Sequence, residues 1–255
     1  MAWGEAMRFA GKTVVVTGGG KGIGAACVTR FSSEGAYVAI ADIDLGAAEA
    51  MAATLVESGG SAAAYRLDAG DPESWRELAG ALLAEGKTVH TVVNNAYTIV
   101  HAPADETDER DWDRQIAVDL SSVYHSARAF MTDLRTSNGS IVNVSSVHAV
   151  STMPGHPAYA AAKGGVLALT RQLAVDYGPD VRVNAVLPGP ILTHAWDRAT
   201  GARMERAAAS AALGRLGAAH EVASVIAFLA STEATYVTGA QITVDGGMTA
   251  RLYRE

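Results

Sequence analysis

The chain has one cysteine, few aromatic residues and no excess of positive charge, and each shortage excludes a class of protein. Cys27 is the only cysteine among 255 residues, which excludes an intrachain disulfide and a zinc site built on cysteines. We expect it in the core, on the inner face of the first predicted helix. Aromatic residues make up 6% of the chain, and the formal net charge is −7 without a basic cluster. This balance argues against a nucleic-acid partner.

Long apolar runs are also absent. No run approaches the roughly 18 residues that a membrane-spanning helix requires, so no membrane partner is expected. Residues 1–10 lack the apolar stretch of a secretion signal, which makes a cytoplasmic location the default expectation. His148, His156 and His194 can all approach one pocket, but they lack the short spacing of a metal motif. We therefore predict no metal.

Apolar residues are abundant and occur in alternating strand and helix patterns. They make up 49% of the 255 residues, enough for one large core, and no composition shift marks a boundary, so we expect a single domain over 1–255. The patterns predict strands near 13–17, 36–41, 62–67, 89–93, 140–144, 181–186 and 241–244, and helices near 22–34, 45–58, 73–85, 109–135, 157–177, 201–212 and 219–230. This alternation predicts a three-layer α/β fold: a Rossmann-type, doubly wound parallel sheet of about seven strands, covered by helices on both faces.

Tyr159 and Lys163 form the most informative pair of residues. They are four positions apart, with three alanines between them, and therefore share one face of a helix. A phenol has a pKa of about 10, and a nearby ammonium lowers it. The pair can then exchange a proton with an alcohol oxygen near neutral pH. Exposed pairs with this spacing are common on helices, so other motifs in the chain must decide whether this pair is catalytic.

A glycine-rich turn near the N-terminus is the first of these motifs. The apolar run 13–17 is followed by Gly18, Gly22 and Gly24 and then by a helix-forming stretch. A strand, a glycine turn and a helix N-terminus together make a site for a pyrophosphate. Asp42 ends the next apolar run, eighteen residues after Gly24, where a carboxylate accepts hydrogen bonds from a ribose and repels a 2′-phosphate.

These motifs occur in a familiar order. The chain resembles the short-chain dehydrogenase/reductase family from about Gly11 to Gly247, through Thr17-Gly18-x-x-x-Gly22-x-Gly24, Asn94-Asn95-Ala96, Ser146, Tyr159-x-x-x-Lys163 and Pro188-Gly189. The resemblance implies an NAD(P)-dependent oxidoreductase acting on alcohols or ketones. It also implies that Tyr159 exchanges the proton, that Lys163 tunes it and binds the nicotinamide ribose, and that Ser146 orients the substrate oxygen. Ser145 is expected to bond to backbone.

The resemblance also implies which residues bind the cofactor. Asp68 and Ala69 would hold the adenine, although Asp68 is also open to a role as a helix cap, for which Asp71 is better placed. Asn95 would contact the adenosine side through its backbone, and Asn94 would brace the sheet. The Ile191 backbone and the Thr193 hydroxyl would bind the nicotinamide carboxamide. The full predicted set is Gly18, Lys21, Gly22, Ile23, Gly24, Asp42, Asp68, Ala69, Asn95, Ala96, Tyr159, Lys163, Pro188, Gly189, Ile191 and Thr193.

Two positions depart from the family pattern. Asp119 stands where family members usually have an asparagine at a helix kink. A charged carboxylate there would hold the ammonium of Lys163 away or raise the pKa of Tyr159, whereas a mere anchor for the kink would leave activity intact. We expect activity to survive and count Asp119 as a supporting catalytic candidate. Tyr97 replaces a glycine and would either narrow the pocket or pack outward.

The sequence thus favours a dehydrogenase for a sugar, polyol or cyclic alcohol, with NAD as cofactor. Asp42 opposes NADP, although Lys21 is a feature that many NADP-dependent relatives share. The alternatives are a 3-oxoacyl-[acyl-carrier-protein] reductase and a non-catalytic dinucleotide-binding regulator. Residues 193–213 are the expected substrate lid, with His148 and Trp196 as open candidates for substrate contacts. The resemblance also implies a homodimer or homotetramer, with helices 109–135 and 157–177 paired across a dimer interface.

Overall fold

The computed structural model describes residues 7–197 and 199–251. Arg198 of the predicted lid therefore lies outside the described residues, as do residues 1–6 and 252–255. Every helix within the described part is too short or too polar to span a lipid bilayer.

A seven-stranded parallel sheet forms the centre of the molecule. Its strands are β1 (Thr13–Thr17), β2 (Tyr37–Asp42), β3 (Ser61–Arg66), β4 (Val89–Asn94), β5 (Ser140–Val144), β6 (Arg182–Pro188) and β9 (Gln241–Val244), in the order β3-β2-β1-β4-β5-β6-β9. All neighbouring pairs are parallel. The predicted fold class is confirmed, and the predicted strands match to within one or two residues.

Helices cover both faces of this sheet because successive strand residues point to opposite sides. On β1, Val14 and Val16 join one buried cluster and Val15 joins the other. The helices are α1 (Gly22–Ser33), α2 (Leu45–Glu57), α3 (Pro72–Ala84), α4 (Glu109–Ile116), α5 (Ser122–Thr136), α6 (Pro157–Tyr177), α7 (Gly201–Ser210) and α8 (Ala219–Ala230). α1, α2 and α8 cover the first face, and α3, α5 and α6 cover the second. Cys27 is fully buried on α1, as expected.

The structure corrects the predicted helix 109–135. A π-helical turn, Ala117–Ser121, separates α4 from α5, so a kink lies at Asp119. Such insertions commonly occur at functional sites. Two short strands were also not predicted: β7 (Ile191–Leu192) and β8 (Gly217–Ala218) pair with each other outside the main sheet.

The strand order reverses between β1 and β4, and this reversal places the functional site. Connections from these two strands run to opposite faces, which opens a crevice beyond their carboxyl ends. The glycine turn follows β1, and Asn95 follows β4. Asp71, which the sequence favoured as a helix cap, accepts a hydrogen bond from the Glu73 N–H at 3.0 Å and begins α3. This bond fixes the start of α3.

Candidate active site

Tyr159 and Lys163 lie on one face of α6, as their spacing predicts. Lys163 is 2% exposed, and its Nζ donates to the Val144 carbonyl at 3.1 Å, 5.5 Å from the centroid of the Tyr159 ring. The Ser145 hydroxyl donates to the Lys163 carbonyl at 2.9 Å. This bond ties α6 to the end of β5 and confirms the backbone role expected of Ser145. Ser146, the next residue, lines the same cleft as the tyrosine.

The electrostatics of this pair differ from the expectation. Burial raises the pKa of the Tyr159 phenol above its ordinary value; the Ser146 hydroxyl lowers it, while Asp119 and Tyr97 raise it further. The lowering expected from Lys163 is not among these influences; its Nζ donates to the Val144 carbonyl and lies 5.5 Å from the centroid of the Tyr159 ring. Burial in turn lowers the pKa of Lys163, and Asp119 opposes that change. The tyrosine is therefore a protonated acid near neutral pH in this arrangement.

Asp119 lies in the π-helical turn beneath the cleft rather than in it. Its Oδ1 accepts a hydrogen bond from the Thr98 N–H at 2.8 Å, and Gln115 donates to the Thr98 carbonyl at 2.8 Å. Its Oδ2 is buried and has no hydrogen-bond partner among the described residues. Burial raises the pKa of this carboxyl, and Lys163 acts in the opposite direction. Asp119 therefore acts on the cleft indirectly, through Lys163, Tyr159 and the segment that carries Thr98.

The glycine turn approaches the end of β4 closely. Gly18 and Gly22 have φ of +61° and +59°, a region that favours glycine. A Cβ on Gly24 would lie 1.9 Å from the Gly18 carbonyl oxygen. The side chain of Asn95 donates to that oxygen at 3.1 Å and thereby holds the turn. Among the described residues, no side chain caps the N-terminus of α1, which leaves backbone N–H groups there for an anion.

Acidic side chains gather at the ends of β2 and β3. Asp42 accepts a hydrogen bond from the Gly20 N–H at 2.9 Å, so its carboxylate lies against the glycine turn. Lys21 is paired with Asp44 at 2.9 Å. Asp68 accepts from the Gly70 N–H at 3.0 Å and pairs with Arg114 at 2.9 Å.

The remaining predicted residues meet the same space. Asn94 donates to Asn143 at 2.9 Å, which confirms that it braces the sheet. A cleft of about 1570 Å³ is lined by Gly18, Lys21, Gly22, Ile23, Asp42, Asp68, Ala69, Asn95, Ala96, Ser146, Tyr159, Lys163, Pro188, Gly189, Ile191 and Thr193. Of the predicted site residues, Gly24 and Asp119 are not among those that line the cleft. Tyr97 is 45% exposed and also lines the cleft, so it narrows the space rather than packing away from it.

Several lining residues were missed or left open by the sequence. His148 and Trp196, left open there, both line the cleft, as do His101, Arg203 and Arg206, which no motif marks. The amphipathic spacing of the two arginines on a predicted helix was the available signal. Among the described residues, no group of three or more His, Cys, Asp or Glu side chains has a metal-binding arrangement.

Comparison with known proteins agrees with this geometry. Residues 18–249 match the family model described as Enoyl-(Acyl carrier protein) reductase. The chain belongs to the short-chain dehydrogenase/reductase family. It is an oxidoreductase that uses a nicotinamide cofactor at a secondary alcohol or ketone.

Individual relatives match over nearly their whole length. Meso-2,3-butanediol dehydrogenase of Serratia marcescens is 38% identical over 248 residues, which cover 96% of this chain and 97% of the relative. The 3beta-hydroxysteroid dehydrogenase 1 of Eggerthella lenta is 40% identical over 247 residues, covering 94% of each chain. The crystal structure of a putative gluconate dehydrogenase from Agrobacterium tumefaciens superposes with a TM-score of 0.93 at 28% identity, covering 96% of this chain and 99% of the other.

Proposed function

We propose that the protein oxidises a secondary alcohol with NAD, or reduces the ketone with NADH, at the point where Ser146, Tyr159 and Lys163 meet. The observation that carries this proposal is the position of Tyr159 and Lys163. They lie on one face of α6 and open into the same cleft as the glycine turn. The reacting group and the nicotinamide can therefore share one space.

The residues around the glycine turn fit a dinucleotide. A Cβ on Gly24 would clash with the Gly18 carbonyl oxygen, so no side chain fits there. The first N–H groups of α1 face the space beyond β1. These features suit a pyrophosphate. Asp68, Ala69 and Ala96 would hold the adenosine end, and Pro188, Gly189, Ile191 and Thr193 the nicotinamide end. When bound, the nicotinamide supplies the acceptor or donor of hydride.

The charges near Asp42 favour NAD over NADP. The carboxylate of Asp42 lies against the turn where the adenosine ribose would bind, and Asp44 is next to it. Lys21, the residue that favours NADP, is paired with Asp44. A 2′-phosphate would therefore meet two carboxylates and a lysine whose charge is already partnered.

Proton transfer falls to Tyr159. In oxidation its phenolate accepts the hydroxyl proton, and in reduction its phenol donates a proton to the carbonyl oxygen. Because burial raises the pKa of Tyr159, alcohol oxidation should favour alkaline pH and ketone reduction neutral pH. The Ser146 hydroxyl would donate a hydrogen bond to the substrate oxygen and stabilise charge that develops there. Lys163 holds the end of β5 and has two further N–H donors for a ribose.

Asp119 acts in this scheme as a positioning residue. Its charge would support the ammonium of Lys163 and oppose ionisation of Tyr159, both through space. The bond from the Thr98 N–H to its carboxylate also fixes the segment that carries Tyr97.

The names of the relatives suggest the class of the substrate. Their names include dehydrogenases for a butanediol and a hydroxysteroid, so a sugar, a polyol or a cyclic alcohol is the proposed class. We also infer a single domain, because both buried clusters pack on one sheet. The exposed side chains of Trp112, Tyr124 and Val175, on α4 to α6, support a dimer through these helices, and light scattering would test it.

The decisive experiment combines a panel of alcohol substrates with a variant that lacks the phenol oxygen of Tyr159. Purified protein with NAD and secondary alcohols should form NADH, detected by its near-ultraviolet absorbance. Tyr159→Phe should reduce the rate at least about 100-fold because the proton acceptor is lost. An unchanged rate in this variant would contradict the mechanism. Binding of NAD without turnover of any alcohol would favour the non-catalytic regulator.

A further inference from the structure

The two halves of the cleft carry opposite charge. At the adenosine end the lining carboxylates are Asp42, Asp44 and Asp68, which end or follow β2 and β3, and they outnumber the two lining cations, Lys21 and Arg114, that pair with Asp44 and Asp68. In the other half of the cleft, on the substrate side of Tyr159, the lining residues that the structure describes include no aspartate or glutamate. Their basic side chains are those of His101, His148, His156, His194, Arg203, Arg206 and Arg251. At neutral pH the arginines supply the fixed positive charge of this half.

The helix α7 presents two of these arginines by its periodicity. Arg203, Arg206, Ala207 and Ser210 all line the cleft, at positions i, i+3, i+4 and i+7 of one helical face. Small side chains at the last two positions leave room for the guanidinium groups. Glu205 lies between the arginines in sequence but does not line the cleft. The face toward the substrate is therefore basic without a compensating acid.

Neighbouring groups restrain two of the arginines that line this half, Arg203 and Arg251. The guanidinium carbon of Arg203 lies 5.6 Å from the centroid of the Trp196 ring, a stacking contact that restrains it. Burial lowers the pKa of His101, which comes from the loop after β4, and the nearby His156 and Arg203 lower it further. Arg251 donates to the Ala209 carbonyl at 2.7 Å, at the end of α7. Positive charge thus approaches the substrate space from α7, and a basic side chain approaches it from the loop after β4.

We propose that the alcohol substrate carries an anionic group, a carboxylate or a phosphate, which Arg203 and Arg206 bind while its hydroxyl lies between Ser146 and Tyr159. This inference rests on the proposed dehydrogenase function. A guanidinium matches a carboxylate or a phosphate with two parallel hydrogen bonds. An uncharged alcohol would leave the charges of Arg203 and Arg206, on one face of α7, without an acidic partner among the described lining residues of this half.

Two matched pairs of alcohols test the proposal. The first pair is 3-hydroxybutyrate and its methyl ester, and the second is glycerol 3-phosphate and glycerol 1-methyl ether. For at least one pair, kcat/KM with NAD should be about ten-fold or more higher for the charged member, the effect of one good charged hydrogen bond. A preference in the first pair identifies a carboxylate, and one in the second identifies a phosphate.

Variants on α7 connect the preference to the arginines. Arg203→Gln and Arg206→Gln should each lower kcat/KM about ten-fold for the charged member, much more than for the neutral member, and so remove most of the preference. Glu205→Gln, an exposed control on the same helix, should leave both values unchanged. The KM for NAD should also stay constant, because these side chains lie away from the glycine turn.

Three outcomes would overturn the inference in different ways. Equal turnover of both members of each pair, unaffected by the arginine variants, would overturn it and leave the dehydrogenase function intact. Faster reduction of an acetoacetyl thioester on acyl carrier protein, lost in the arginine variants, would replace the small anion by an acidic protein. Binding of NAD without NADH formation from any of the four compounds would overturn this inference, and it would contradict the dehydrogenase function as well only if the panel of sugars, polyols and cyclic alcohols also gave no NADH.

Discussion

His148 lies edge-on against the ring of Tyr159, with ring centroids 5.4 Å apart and planes at 76°. Its Nδ1 pairs with the Thr152 hydroxyl at 3.0 Å, which fixes the ring. His156 lies 4.6 Å from His148, and His101 lies 4.6 Å from His156. Burial, together with the other rings, lowers the pKa of His148, so its imidazole is mainly uncharged near neutral pH. The row of three histidines forms a polar wall beside the tyrosine.

Removal of this wall should affect the substrate more than the cofactor. His148→Ala should lower kcat/KM for the best alcohol about ten-fold, because a contact beside Tyr159 is lost, and leave the KM for NAD unchanged. Steady-state kinetics with each reactant varied will measure both. His220→Ala, an exposed position on α8, is the control. Equal effects in the two variants would exclude a substrate contact by His148.

The buried carboxylate of Asp119 should set the pH dependence. Its charge raises the pKa of Tyr159, and asparagine removes that charge while keeping an oxygen for the Thr98 N–H. Oxidation requires the phenolate and therefore increases as pH rises through the tyrosine pKa. In Asp119→Asn this increase should move to lower pH. Rate profiles should be compared with those of Asp113→Asn, at an exposed position on α4. A shift to higher pH would contradict the assigned role.

Asp42 should determine the choice of cofactor. Asp42→Ser removes the carboxylate near the ribose and keeps a hydroxyl that can accept from the Gly20 N–H. The ratio of kcat/KM for NADP to that for NAD should rise about ten-fold or more, because a charge repulsion is relieved. Asp180→Ser changes the net charge equally at an exposed position away from the cleft. A similar rise in that control would indicate an effect of overall charge only.

Two glycine-to-alanine changes should have different effects: one should abolish NAD binding, and the other should increase stability. In Gly24→Ala the new Cβ would meet the Gly18 oxygen at 1.9 Å, so the turn must move and NAD binding should be lost. In the described residues nothing lies within 4 Å of a Cβ on Gly80, in α3. Gly80→Ala should therefore add about 0.5–1 kcal/mol to the free energy of unfolding. Calorimetric titration with NAD and denaturant unfolding will measure these effects. Retained NAD affinity in Gly24→Ala would disprove the close approach.

Features that depend on residues close together in the chain were predicted correctly, whereas features that depend on distant contacts were not. Strand β1 and helix α6 match their predicted bounds because hydrophobic periodicity is local. Hydrophobic periodicity did not predict the π-helical turn at Asp119, where only the resemblance implied a kink, or the pair β7 and β8, which joins two separate segments. The lowered pKa expected for Tyr159 was also wrong. Burial, the main cause of the raised pKa, arises only after α6 packs on the sheet.

The sequence by itself determined the order of strands and helices and the motifs that end them, because side-chain periodicity and glycine spacing are properties of short segments. The parallel arrangement then required those ends to meet at one edge of the sheet. Only the tertiary structure decided that His101 and Arg203 approach each other from separate segments. Loop paths depend on what they pack against, so no local pattern in the chain records that approach.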